Sequence, residues 1–92
     1  MVIQTYIKPL EEVDAQMPGH VEWLKKDYSD GVFFSSGRRL PRNGGVILAK
    51  YENIESLKAR LNLDPFQKLN IAKTEFFPFE ATMKSRLLEA IF

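Results

Sequence analysis

MPGHVEWLKKDYSDGVFFSSG, residues 17–37, carries a helix, a stop and a strand in that order. Val21, Leu24 and Tyr28 recur at i, i+3 and i+7, the spacing of one helical face, and predict a helix over about 18–29. Pro18 suits a first turn, where a missing N–H leaves no bond unmade. Asp30-Gly31 ends the helix, because glycine enters the left-handed conformation without a Cβ penalty. A strand over 32–37 follows, with Val32, Phe34 and Ser36 on one face and Phe33 and Ser35 on the other. His20 is the sole histidine of the chain and stands at the predicted helix start, beside both fixed backbone and solvent.

Upstream, residues 2–8 alternate as a strand, with Ile3, Thr5 and Ile7 on one face and Val2, Gln4 and Tyr6 on the other. Pro9 stops it, since proline cannot donate to a ladder. The acidic segment 10–16 is expected to be a loop or a single turn. Downstream, 38–44 is turn-rich, with Asn43-Gly44 as punctuation. A third strand over 45–51 is apolar on both faces and pairs with the second as an antiparallel hairpin. Asn53 is placed to cap a second helix carrying Ile54, Leu57 and Leu61 on one face. Asp64-Pro65-Phe66 opens a short third helix, 71–79 forms the fourth strand, and Leu87, Leu88 and Ile91 predict a C-terminal helix over 83–92.

This order is βαββαβ with an extra C-terminal helix, an α+β, ferredoxin-like pattern. Right-handed crossovers place both main helices on one face of an antiparallel sheet. The strands nevertheless carry apolar residues on both sides. The second face would then be a large exposed patch, so a second copy is expected to cover it and make a homodimer.

The 92 residues form one domain, 1–92. A net charge of +1 gives no global attraction to nucleic acid or anionic membrane. No cysteine is present, which removes disulfides, thiolate catalysis and thiolate metal sites. One histidine without clustered carboxylates calls for no metal or other cofactor. No signal peptide and no membrane-length apolar run is read, and a cytoplasmic location is expected.

His20 can exchange a proton near neutral pH. A carboxylate on its second ring nitrogen would hold its tautomer, and Asp64 is the candidate, although only the fold can join them. The alternative is a surface histidine at a helix end and an aspartate that merely caps the Pro65 helix. Arg38, Arg39 and Arg42 form a basic cluster suited to a carboxylate or phosphate ligand, or else a solvated hairpin loop. Ser35 and Ser36 lack a nucleophile-elbow pattern. Aromatic residues on a sheet of this topology also admit RNA stacking, but the basic glycine-aromatic signature of such sheets is missing.

His20, the Phe33-Phe34-Ser35-Ser36-Gly37 run, Gly44-Gly45-Val46-Ile47 and Asp64-Pro65-Phe66 together resemble the YciI-like (YCII-related) family over roughly residues 2–82. The resemblance implies a dimeric α+β barrel of small cytoplasmic proteins in which a histidine and an aspartate meet in a pocket. One branch of that family is similar to dehydrochlorinases of hydroxylated aromatic rings. The matching residues are His20 and Asp64 as the catalytic pair, with Ser36 and Gly37 lining the pocket; the chain departs from the family pattern after Gly37, where Arg38-Arg39 intervenes, and Arg38 and Phe66 complete the expected substrate-binding set. The expected function is general acid/base chemistry on a small anionic metabolite, aromatic or enol-bearing. The alternative is a non-catalytic dimer that binds a small ligand or a protein partner.

Overall fold

The structure is a computed structural model describing residues 1–89. Its elements are β1 (Val2–Tyr6), α1 (Leu10–Ser29), β2 (Phe33–Arg38), β3 (Gly44–Ala49), α2 (Ile54–Leu61), α3 (Pro65–Lys68) and β4 (Ala72–Phe76). The strands form one antiparallel sheet in the order β2-β3-β1-β4, an α+β architecture compatible with the ferredoxin-like arrangement. β1 is central, and its register sets the faces. Val2 pairs with Ile47 and Phe76, while Gln4 pairs with Gly45 and Thr74.

Alternation then puts Val2, Gln4 and Tyr6 under the helices. Trp23 of α1 and Leu57 and Leu61 of α2 pack on Val2, Phe33 and Ile47 to form the main core. Val13 of α1, Phe66 of α3, Ile71 and Ala72 form a second cluster beside it. Both long helices therefore lie on the same side of the sheet, as the crossover rule requires. The opposite face carries Ile3, Val46 and Leu48, all half-buried.

The largest departure from expectation is α1. It starts at Leu10, eight residues before the expected start, and Pro18 lies inside it. His20 is therefore a mid-helix residue rather than one at a helix start. Segment 10–16 is helix, not loop. Pro9 stands at the N-cap and Glu11 and Glu12 occupy the first turn, where acidic groups complement the helix dipole. Pro18 removes one backbone bond, but Val13 and Met17 continue the buried face on the upstream side. Packing of that face outweighs the missing bond. Downstream, Asp30 caps the helix and Gly31 takes φ +75°, as the Asp-Gly pair implies.

The C-terminal helix expected over 83–92 is a second correction. Among the described residues only a 3₁₀ turn, Arg86–Leu88, forms there, and Met83 and Leu87 are almost fully exposed. A short helix gains little in water without a surface to pack on. Positions 90–92 of that expectation lie outside the described residues. β1, β3 and β4 end earlier than expected, and β2 keeps its expected length but lies one residue further along the chain. β4 stops at Phe76, and β3 at Ala49.

At the far end from the proposed site, Arg60 of α2 donates to Asp27 Oδ1 at 2.6 Å and to Asp30 Oδ2 at 3.0 Å. Trp23 Nε1 donates to the Arg60 carbonyl at 2.9 Å. These bonds fix α2 against the C-terminal half of α1. The guanidinium beside Asp30 holds that carboxyl below the usual carboxylate range.

Candidate active site

α1 crosses the β2–β3 side of the sheet with Met17, His20 and Leu24 on one wall of a cleft of about 370 Å³. These positions are three, four and seven apart, which is one helical face. Gln4 and Gly45 belong to the floor. Gly45 is the cross-strand partner of Gln4 and shares its face, so its missing side chain leaves room above that glutamine. Gly19 lets the helix sit low. A Cβ there would meet Pro65 Cγ at 3.3 Å, so a larger residue would push α1 away from α3 just where His20 and Asp64 face each other.

His20 Nδ1 lies 2.8 Å from Asp64 Oδ1, across 44 positions of sequence. Asp64 is fully buried and serves two further donors. Its Oδ1 also accepts the Phe66 N–H at 3.0 Å, the N-cap bond of α3. Its Oδ2 accepts Gln4 Nε2 at 2.8 Å. The capping role and the histidine-facing role thus coexist on one carboxylate. Every one of these contacts requires Asp64 to accept. The shared geometry therefore puts the proton on His20 Nδ1, and the neutral ring presents a lone pair at Nε2.

The imidazole stacks on the Phe66 ring with centroids 4.0 Å apart and planes 4° from parallel. Trp23 packs beside it at 5.5 Å. Ring rotation is therefore blocked by contact as well as by the carboxylate. Among the described residues, Asp27 Oδ2 is the one buried side-chain polar atom without a hydrogen-bond partner. His20 Nε2 makes no hydrogen bond among the described residues and is not one of the sealed atoms, and His20 lines the cleft.

The other expected site residues divide. Arg38 lines the cleft and is exposed, with no ion pair among the described residues. Gly37 borders open space, since a Cβ there would meet nothing within 4 Å. Ser36 also lines the cleft, but its hydroxyl shares a 2.6 Å hydrogen bond with Tyr28. Phe66 lies 1% exposed beneath the imidazole, so its role is support of the ring. The arginine cluster is split. Arg42 reaches Asp14 of α1 and is held above the ordinary guanidinium range by that bond. Arg39 donates to Thr5 Oγ1 at 2.9 Å and does not line the cleft; Thr5 lies on the strand positions that alternate with Gln4. Ser35 is on the edge away from the cleft wall.

Sequence reasoning missed Gln4, Asp14 and Tyr28. Gln4 did carry a signal. A glutamine between Val2 and Tyr6 on an inward strand face is a buried polar group that needs a partner. A larger hollow of about 550 Å³ borders Lys50, Tyr51 and Arg60. Its arginine is committed to Asp27 and Asp30, and it contains no histidine. Among the described residues no group of three or more histidine, cysteine or carboxylate side chains is placed to hold a metal ion. Among the described residues no helix is long and apolar enough to cross a membrane.

Comparison with known proteins returns a family model, that of the YCII-related domain, which matches residues 1–80. The match covers the whole sheet, all three α-helices, His20 and Asp64. No curated protein and no solved structure matches the chain.

Proposed function

The chain belongs to the YCII-related family, and from that premise we propose that it is a small enzyme in which His20 performs general acid/base chemistry on a small anionic metabolite. The observation that carries the reading is the 2.8 Å contact from His20 Nδ1 to a buried Asp64, with the second ring nitrogen open to a cleft. In this reading Nε2 takes a proton from the bound substrate and returns it to a neighbouring atom. Asp64 is a positioning residue that holds the tautomer and stabilises the transient imidazolium. Arg38 meets the anionic group of the substrate as a guanidinium with no ion-pair partner among the described residues. Gly37 leaves space for the ligand body, and Ser36 and Phe66 shape its surroundings. Proton transfer of this kind contributes about 10²–10⁴-fold to rate. Elimination, isomerisation and hydrolysis are all compatible with it.

A single histidine makes the test direct. The ¹⁵N signals of His20 in the neutral ring should show Nδ1 protonated and Nε2 bare. In a screen of small carboxylates for turnover, His20→Ala should abolish any activity found while the protein still folds. An Nε2-protonated tautomer, or activity that survives His20→Ala, would falsify this role of the histidine, and a screen that finds no turnover would leave a non-catalytic binding module.

The reading extends to a cytoplasmic homodimer, in keeping with the dimeric α+β barrel context of the family. Ile3, Val46 and Leu48 place an apolar strip on the sheet face opposite the helices. Burial of such a strip drives association. Sedimentation at micromolar concentration should give twice the chain mass. A stable monomer under those conditions removes the dimer.

A further inference from the structure

Gln4 is the one buried polar side chain of the site that the acid/base reading leaves without a task. It is 2% exposed at the centre of β1. Its carboxamide orientation is settled by its partner. Nε2 faces Asp64 Oδ2 at 2.8 Å, and the reversed amide would set a carbonyl oxygen against a carboxylate oxygen. Oε1 is therefore turned away from Asp64. That oxygen has no hydrogen-bond partner among the described residues, yet it is not one of the sealed, unpaired atoms. Gln4 lines the cleft, and Gly45 opposite it adds no side chain to cover the oxygen. A pure structural spacer would bury Oε1 against a donor. Here no donor among the described residues meets the oxygen.

The same carboxylate anchors His20 through its other oxygen. The two side chains are therefore neighbours, and each turns an acceptor toward the cleft: the imidazole lone pair at Nε2 and the amide oxygen. Two adjacent acceptors select a ligand that supplies two adjacent donors, one of them the proton His20 removes. We propose that Gln4 Oε1 is a specificity-determining acceptor for a hydroxyl group of the substrate, so that the site takes hydroxylated carboxylates in preference to their deoxy counterparts. This rests on the His20 reading above. Arg38 supplies the cation for the carboxylate end, Oε1 accepts from the hydroxyl, and Nε2 beside it takes the proton that His20 removes. With Gln4 Nε2 held by Asp64 the amide cannot turn over to present its NH₂ instead, so a ligand bearing only acceptors at that point is rejected by lone-pair repulsion.

The test uses benzoate and the three isomeric monohydroxybenzoates as probes, followed by the His20 ring signals in NMR titrations of the full chain. At least one hydroxylated isomer should bind about tenfold more tightly than benzoate, the ratio expected for one buried acceptor satisfied or left bare. Gln4→Met should erase that ratio and leave benzoate affinity within about twofold, a split that loss of structure alone would not produce. The unliganded ¹⁵N pattern of His20 in the variant checks that Asp64 still holds the ring. Where Gln4→Met fails to fold, the Gln4 side-chain amide signals of the wild-type chain serve instead, and they should move with the hydroxylated isomer and stay still with benzoate. Equal affinity for all four probes, or a preference that persists in Gln4→Met, overturns the assignment of Gln4 and leaves the histidine reading intact. Absence of any shift at His20 with every probe overturns both.

Discussion

Asp64→Ala should bring the domain to the edge of unfolding. The carboxylate is fully buried and accepts from three elements at once: His20 of α1, Gln4 of β1 and the Phe66 N–H that starts α3. Alanine leaves three donors in a space that water enters poorly. Each orphaned buried donor costs about 1–3 kcal/mol, so the sum is about 3–6 kcal/mol after partial relaxation. A domain of this size has about 5–14 kcal/mol in total. Urea titration followed by Trp23 fluorescence should show the midpoint falling by more than half. Asp64→Asn should cost much less, because its oxygen can still accept from His20 and Phe66 while Gln4 turns its amide over to accept from the new NH₂. That pair of variants separates two roles of one residue. The alanine reports the structural keystone, and the asparagine keeps the fold while removing the charge that stabilises an imidazolium. A difference in unfolding free energy under about 1 kcal/mol between wild type and Asp64→Ala, judged against the cost of an orphaned donor, would mean that the three bonds are not made together.

Gly44→Ala should be as damaging for a different reason. A Cβ at Gly44 would fall 1.8 Å from the Gln4 carbonyl oxygen and 2.7 Å from its carbon. Both atoms are backbone of the central strand, so no side chain can swing aside. β1 would have to move against β4 on its other edge, and the ladder that aims Gln4 at Asp64 would move with it. The expected loss is about 4 kcal/mol or more, in the range reserved for forced backbone shifts and overpacking. The other glycines of the hairpin provide the comparison. A Cβ at Gly45 would approach the Gly37 oxygen only to 3.3 Å, and at Gly37 it would meet nothing within 4 Å. Gly37→Ala is therefore expected to be neutral or slightly stabilising through the unfolded chain, and Gly45→Ala to lie between. Thermal melts of the three variants should rank Gly44 far below the other two. Equal melting temperatures would show that β1 and β3 do not approach this closely.

The glycines also show how far residue patterns carry. Asn43-Gly44 was legible as a turn signal, yet Gly44 matters as a strand residue pressed on Gln4. Local pattern shows that a glycine is present, while the distance to a strand some forty positions away shows why. Pro18 is the same lesson in a helix. Proline favours a first turn, so the helix was expected to begin there; the buried face formed by Val13, Met17 and His20 carries it back to Leu10. That face was present as i, i+4, i+7 spacing and was masked by the stronger local rule. In the tail, helical spacing was present without a surface to reward it, and among the described residues only a 3₁₀ turn results.

Composition, alternation and cap residues were enough to establish an α+β chain with its strands in order, Asn53 and Asp64 as caps, and a lone imidazole in a chain without thiols. Those properties follow from spacings of a few residues, which the backbone geometry of helix and strand translates directly. Which acid His20 meets, which arginine stays free, and that Gln4 completes the group were decided only when β1, α1 and α3 closed on one another. Contacts between groups 44 and 60 positions apart depend on strand register and helix depth. Both are set by packing of the whole core and by what two glycines leave empty, and neither leaves a trace in the neighbouring letters of the chain.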